Sequence, residues 1–230
     1  MFYISSPLNI NRMNFNSLLK QYQAVQDKER AAQMEKYMRN QFSFLGIATP
    51  ERRKIAKPLF QEAKYHEVVD WCLIQKCWDC PYRELQYVAC DYLHRVTPLL
   101  VSKDLESIEK LITTKSWWDS VDSLYIVIAS MVQADPRLKK RMRAWSLDDN
   151  KWLRRAAIAY QLSLKEETDL ELLSEVILNN TNHPDFFVQK AIGWILREYS
   201  KTDSDWVRSF INQHGDAMSK LSIREGSKYI

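Results

Sequence analysis

Glycine and proline are scarce in this chain, which has 4 glycines and 7 prolines among 230 residues. No segment alternates apolar and polar residues with the two-residue period of a half-buried strand. These two absences argue against a fold rich in β-sheet. Long stretches of Leu, Ala, Glu, Lys, Gln and Arg favour helices instead. We therefore predict an all-α protein.

Long apolar runs are also missing. No stretch approaches the roughly 18 uninterrupted apolar residues of a membrane-spanning helix. The first residues lack both the basic segment and the apolar segment of a signal peptide. We expect a cytoplasmic protein without a membrane partner. We also expect a flexible N-terminal tail over residues 1–13, with Met13 as an alternative start of the protein.

Familiar catalytic motifs are absent as well: the chain has no phosphate-binding glycine loop, Gly-x-Ser-x-Gly elbow or His-Glu-x-x-His pair. Its four cysteines are Cys72, Cys77, Cys80 and Cys90. The Cys77-x2-Cys80 spacing would suit zinc, but the neighbouring residues are apolar and read as a buried helix. We predict small buried hydrophobic cysteines, no metal and no cofactor.

Helix-sized segments follow one another with breaks of a few residues. Thr49 is suited to cap one of these helices and Pro50 to occupy its first position. Many short helices in pairs predict a superhelical stack of antiparallel hairpins, a HEAT-like solenoid with a concave basic face, although a compact orthogonal bundle would also fit. No Gly/Ser linker divides the chain, so we predict one domain over residues 14–230. The predicted helices are 14–27, 28–42, 51–64, 66–76, 82–97, 104–114, 117–133, 136–147, 150–163, 168–180, 184–200, 203–213 and 220–229.

Positive charge is concentrated in a few segments, although the net charge is only +4. Five cations lie within residues 137–143, and the helix over 184–200 carries Lys190, Trp194, Arg197 and Lys201 on one face. Cations on one curved surface would match the phosphates of a DNA duplex. The alternative is that each run is a solvated helix face.

The most informative motif is Lys115-Ser-Trp-Trp-Asp-Ser-Val-Asp122. Ser116 and Asp119 have the spacing of a capping box, and so do Ser222 and Glu225 in the last helix. Asp122 has no such explanation. It follows Trp118 by four residues, on the same face of an otherwise apolar helix. An ionised carboxylate there is costly without a partner or a function.

Four longer stretches together resemble the bacterial AlkD family of DNA alkylation repair glycosylases, which are built from HEAT-like repeats. These stretches are residues 44–53, 114–123, 152–158 and 186–199. The resemblance covers the chain from about residue 20 to its end. It implies an enzyme of base excision repair that hydrolyses the N-glycosidic bond of N3- and N7-alkylated purines, such as 3-methyladenine and 7-methylguanine, in duplex DNA.

The resemblance also implies roles for single residues. Asp122 matches the catalytic carboxylate of the family, Trp118 and Trp194 match its aromatic walls, and Arg155 matches its phosphate-binding arginine. Ala48 departs from the glutamine of the family, which puts one DNA contact in doubt. We expect a monomer that binds alkylated double-stranded DNA. Its predicted DNA-binding residues are Arg155, Lys190, Arg197, Arg154 and Lys115.

Two other functions fit the same sequence. One is a non-catalytic HEAT-type solenoid that binds damaged or distorted DNA, and the other is a protein–protein scaffold. Release of a base from alkylated DNA would distinguish the glycosylase from the non-catalytic DNA-binding solenoid. Affinity for DNA would distinguish both of these from the protein–protein scaffold.

Overall fold

A computed structural model of the protein describes residues 13–230, and these residues form no β-strand. An isolated bridge between Ser43 and Tyr82 is their only strand-like pairing. The prediction of an all-α fold is therefore confirmed. The predicted flexible tail falls almost wholly outside the described residues, and within them no helix is long and apolar enough to cross a membrane.

The chain divides into two compact units, one ending at Val96 and the other spanning Thr97–Ile230. The predicted single domain over residues 14–230 stays a prediction. In the first unit α3 packs against α1 and α5, and α4 packs against α5. Its core includes Tyr22, Phe60, Trp78 and Leu93. The helices are α1 (Phe15–Ala24), α2 (Lys28–Tyr37), α3 (Thr49–Glu62), α4 (Trp71–Asp79) and α5 (Arg83–Val96).

The break between α2 and α3 is held by a buried carboxylate. Glu84 Oε1 accepts hydrogen bonds from the backbone N–H groups of Leu45, Gly46 and Ile47 at 3.0, 2.9 and 3.2 Å. Gly46 has φ +82°, and a Cβ there would lie 2.1 Å from the Asp27 carbonyl oxygen. The break between α2 and α3 therefore requires glycine at position 46, because a side chain does not fit this turn.

The second unit contains the remaining helices. The helix α10 packs against α6, α7, α9 and α12, and α12 packs against α14. Through these contacts α10 links α12 and α9 to α7. The helices are α6 (Leu105–Thr113), α7 (Trp118–Ser123), α8 (Tyr125–Ala134), α9 (Lys139–Ser146), α10 (Lys151–Ala159), α11 (Leu170–Leu178), α12 (Phe186–Tyr199), α13 (Ser204–His214) and α14 (Lys220–Gly226).

The predicted helix over 117–133 is wrong as one element, since it divides into α7 and α8 at Leu124. Leu124 N–H bonds to the Val121 carbonyl three residues back, a tighter turn than the α-helix makes. The predicted capping box at its start is also absent. Ser116 Oγ donates to the Ile112 carbonyl at 2.6 Å, and Trp117 occupies the N-cap without a side-chain hydrogen bond.

Two further capping predictions are wrong for a related reason. Ala48, not Thr49, is the N-cap of α3, and Thr49 and Pro50 are the first two residues of that helix. Ser219 caps α14 by accepting from Ser222 N–H at 3.0 Å. Glu225, the presumed partner of Ser222, binds cations instead. In α14 the capping spacing misleads because cations of α12 compete for the Glu225 side chain.

Three of the four cysteines are buried as predicted, with 0, 5 and 2 % of Cys77, Cys80 and Cys90 exposed. Cys72 is exposed, because it lies on the outer face of the first turn of α4.

Candidate functional site

The centre of the candidate site is an ion pair between α7 and α10. Arg155 Nε donates to Asp122 Oδ1 at 2.7 Å, and Arg155 Nη2 donates to Asp122 Oδ2 at 2.6 Å. The guanidinium and the carboxylate therefore meet along two parallel hydrogen bonds, the strongest geometry for this pair. The partner that Asp122 required is a residue 33 positions further along the chain.

Burial differs between the two partners. The Arg155 side chain is 5 % exposed and the Asp122 side chain 16 % exposed, so both are largely buried and Asp122 is the more accessible of the two. Burial raises the pKa of Asp122, and the hydrogen bonds and charge of Arg155 oppose that rise. Asp119, one turn earlier, adds to the rise by charge repulsion.

A backbone carbonyl holds the arginine from its other side. Arg155 Nη1 donates to the Phe187 carbonyl at 2.6 Å. This carbonyl belongs to the first turn of α12, where the Asp185 side chain caps the helix through Phe187 N–H. All three contacts together give the guanidinium a fixed orientation towards Asp122.

An aromatic cluster supports this first turn of α12. The ring of Phe187 lies 5.1 Å from the ring of Trp117 and 5.0 Å from that of Trp152, measured between centroids. Lys151 Nζ bonds to Asp185 at 2.8 Å and lies 5.4 Å from the Trp152 ring centre. Of the two adjacent tryptophans in the motif, Trp117 thus packs into the support of the site.

The other two predicted aromatic residues lie close to the ion pair. Trp118 is half-buried at the start of α7, one turn before Asp122. The guanidinium carbon of Arg155 lies 5.8 Å from the centre of the Trp194 ring, and Tyr125 meets that ring edge-on at 6.2 Å. Trp194 and Tyr125 also line a cavity of about 620 Å³. Asp122, Arg155 and Trp194 are therefore brought together.

Two of the predicted DNA-binding cations share one carboxylate on α14. Lys190 Nζ lies 2.9 Å and Arg197 Nη1 lies 2.7 Å from Glu225 Oε2. They flank Trp194 on its own helix face, as the spacing predicts.

The remaining two predicted cations lie elsewhere in the second unit. Arg154 Nη1 donates to the Ser146 carbonyl at 3.2 Å and to Asn180 Oδ1 at 3.1 Å, and Nη2 donates to the Leu147 carbonyl at 3.0 Å. Its guanidinium thus fastens the turn after α9 and is not part of the Asp122 site. Lys115 lies in the turn between α6 and α7, with φ +48°.

Acids of neighbouring segments pair with most of the basic run over 137–143. Lys139 binds Asp169 at 2.8 Å, Arg143 binds Glu175 at 2.7 Å, and Arg141 binds Glu109. Arg137 binds Asp135 at 2.8 Å. Local cation density in the sequence therefore overstates the positive field of this segment.

Sequence reasoning missed three contributors to the site: Glu225, Tyr125 and the Phe187 carbonyl. A carbonyl carries no sequence signal at all. Glu225 follows Ser222 at capping spacing, which favoured a local role over its contacts with α12.

Comparison with known proteins places these features in a family context. A family profile described as a DNA alkylation repair enzyme matches residues 18–230. A solved structure described as a predicted DNA alkylation repair enzyme from Enterococcus faecalis is 35 % identical, with a TM-score of 0.82. The match covers 89 % of this chain and 96 % of that one. No curated protein sequence matched the chain.

Proposed function

The chain belongs to the family of DNA alkylation repair enzymes, and from this membership we propose that it is a DNA glycosylase. Its substrate is duplex DNA that carries cationic N3- or N7-alkylated purines such as 3-methyladenine and 7-methylguanine. The reaction is hydrolysis of the N-glycosidic bond, the first step of base excision repair. The protein acts as a monomer, without metal or cofactor, on DNA in the cytoplasm.

The observation that carries the proposal is the Asp122 carboxylate, held on one side by Arg155 and open to solvent over 16 % of its side chain. An ionised carboxylate has about four lone-pair sites, and Arg155 occupies two of them. The remaining sites can accept a proton from water or face a developing positive charge. In this proposal Arg155 positions Asp122 and lies beside the phosphates of the DNA backbone.

The chemistry needs one anionic group and little else. Alkylation at N3 or N7 gives the purine a positive charge, so the base is an activated leaving group. When the C1′–N bond breaks, its electron pair neutralises the purine and the sugar becomes an oxocarbenium-like cation. Asp122 stabilises this cation electrostatically. Water then adds to C1′ and its proton passes to Asp122 and on to solvent.

The aromatic rings act on the same cation. The faces of Trp118 and Trp194 carry negative quadrupole density and attract a cationic sugar and base, with about 0.5–2 kcal/mol for each well-placed contact. Because neutral products lose this attraction, the rings favour the charged states of the reaction over its products.

The test is release of free bases from methylated duplex DNA, detected by mass spectrometry. We expect Asp122→Asn to slow 7-methylguanine release by about 100-fold or more, a typical loss for one electrostatic group. Asp119→Asn removes a carboxylate from the same helix and should release bases at nearly the rate of the parent. Equal rates for Asp122→Asn and the parent would exclude Asp122 from the reaction.

Folding must be checked in the same preparation. Asn at position 122 removes the charge that pairs with the buried Arg155 guanidinium, so slow base release is informative only if this variant unfolds near the parent temperature. Asp122→Glu keeps the charge and displaces it by one methylene, so it is the second test variant. We expect it to unfold near the parent temperature and to remain slow.

One observation favours a second candidate, a non-catalytic protein that binds damaged DNA. Both oxygens of Asp122 already accept hydrogen bonds from Arg155, as in a purely structural ion pair. This function requires that the parent bind alkylated duplex and release no base from it.

A further inference from the structure

Three cations converge on a single carboxylate oxygen at the contact between α12 and α14. Lys190 Nζ, Arg197 Nη1 and Lys228 Nζ lie 2.9, 2.7 and 2.9 Å from Glu225 Oε2. Since each nitrogen lies within 2.9 Å of the same oxygen, any two of them lie within twice that distance of each other. Repulsion alone would disperse three like charges, so Glu225 must hold them in place.

The cluster keeps both net charge and exposure. Three cations against one carboxylate leave an excess of two positive charges. Glu225 is only 7 % exposed, whereas the side chains of Lys190, Arg197 and Lys228 are 38, 23 and 46 % exposed. A lysine has three donors and an arginine five, so a bond to Glu225 leaves donors for another acceptor. The anion is covered and the cations face outward.

The backbone fixes the position of Glu225 tightly. A Cβ added at Gly193 of α12 would lie 2.4 Å from Glu225 Cβ and 3.0 Å from the Ser222 carbonyl oxygen. A Cβ added at Gly226 would lie 3.1 Å from Leu196 Cβ. The two glycines therefore allow α12 and α14 to approach closely. As a result, the carboxylate occupies one place beside the cations.

We propose that Lys190, Arg197 and Lys228 form one binding site for a phosphodiester of the DNA backbone, which Glu225 assembles before DNA arrives. Glu225 is a positioning residue, and Lys228 is a third phosphate ligand beside Lys190 and Arg197. This inference rests on the proposed function, because it takes the bound polyanion to be the DNA substrate.

The chemistry of the cluster matches this ligand. A phosphodiester has two unesterified oxygens that share one negative charge, and it accepts charge-assisted hydrogen bonds from several donors at once. Lys190 and Arg197 lie four residues before and three residues after Trp194. A strand bound at the cluster would therefore pass directly beside the aromatic residue of the candidate active site.

The first experiment measures the affinity for unmodified duplex DNA at several salt concentrations. Each phosphate contact contributes about 0.9 to the slope of log affinity against log salt. We expect Lys228→Gln to lower the slope by about 1 and to weaken binding several-fold. Arg208→Gln removes a cation of similar exposure from α13, where it pairs with Asp205, and should leave the slope unchanged. An unchanged slope in Lys228→Gln overturns the site.

The second experiment separates positioning from a merely structural contact. Glu225→Asp keeps the charge but withdraws the carboxylate by one methylene, so it cannot reach all three nitrogens. We expect Glu225→Asp to bind duplex several-fold more weakly than the parent, which carries the same charge. Glu225→Gln keeps the length but removes the charge that gathers the cations, and it is the second variant. Equal binding by folded Glu225→Asp and the parent overturns the positioning role, and Lys228→Gln tests the site if neither variant folds.

Failure here is distinguishable from failure of the glycosylase proposal. Binding to unmodified duplex DNA involves no bond cleavage, so it can be measured whether or not the protein is a glycosylase. Base release from methylated duplex is measured on the parent, in which Lys228 is intact. Base release with an unaffected salt slope in Lys228→Gln rejects only the phosphate site. A Lys228-dependent slope without base release rejects only the glycosylase.

Discussion

At the scale of the residue, Asp122 illustrates how an unfavourable placement predicts a buried partner. Its position on an apolar helix face required a partner, and Arg155 meets that requirement with two hydrogen bonds. The Asp122 side chain also remains 16 % exposed, which leaves a path for a reactant to approach it. The pair thus combines a fixed geometry with access for a reactant.

The raised pKa of Asp122 predicts how base release depends on pH. Burial raises this pKa above the ordinary value of about 3.9, and the proposed reaction needs the ionised form. Activity should therefore fall as the pH drops through the raised pKa, earlier on acidification than for an exposed aspartate. The measurement is the rate of 7-methylguanine release between about pH 4 and pH 8, corrected for spontaneous loss without enzyme.

Stability should not follow the same curve. Because the folded protein binds this proton more tightly than the unfolded chain does, protonation of Asp122 favours folding. The acidic loss of activity should thus precede unfolding, as monitored by circular dichroism. A residual rate in Asp122→Asn with the same acidic decline would assign the titration to another group.

At the scale of the element, the contact between α12 and α14 depends on a small residue. A side chain at Gly193 has no room, because its Cβ would lie 2.4 Å from Glu225 Cβ. Glycine inside a helix costs about 1 kcal/mol relative to alanine. That cost is offset by close packing of the two helices and by the cation cluster it permits.

We expect Gly193→Ala to lower the free energy of unfolding by about 1–3 kcal/mol, since overpacking outweighs the gain in helix propensity. Gly215→Ala is the matched control. Its Cβ would meet only Ile223 Cδ1, at 3.8 Å, so stability should change little. Chemical denaturation of the three proteins measures the differences, and a more stable Gly193→Ala would contradict the close approach.

The division between α7 and α8 is a second feature of this scale. The motif predicts a helix start near Trp117, which the structure confirms within one residue. The stop at Leu124 has no glycine or proline to mark it. Leu124 is fully buried, so packing rather than local preference places this break.

At the scale of the whole molecule, the positive charge left on the surface depends on which cations pair with acids. The density of cations in the sequence does not predict it. Much of the run over 137–143 is paired with acids, whereas the cluster at Glu225 keeps an excess of two positive charges. A net charge of +4 is therefore a poor guide to where DNA would bind.

The distribution of exposed apolar residues leads us to expect a monomer. The large exposed hydrophobic side chains of the described residues are mostly isolated from one another along the sequence, with Tyr65 and Val68 the nearest pair. Scattered exposed residues of this kind are ordinary on a monomer surface. Size-exclusion chromatography with light scattering should give the mass of one chain at micromolar concentration. A mass of two chains would contradict this expectation.

The sequence by itself determined the helical class and most helix positions, which follow from local propensity and from a periodicity of 3.6 residues. It also singled out Asp122, Trp118 and Trp194 as candidate site residues, and the roles predicted for them follow from the resemblance to a known family. Only the tertiary structure decided that Arg155 pairs with Asp122, that Arg154 beside it fastens a turn, and that Glu225 gathers three cations. Partners 28 to 35 residues apart in sequence meet only after helices pack, and neighbouring residues on a helix point in different directions.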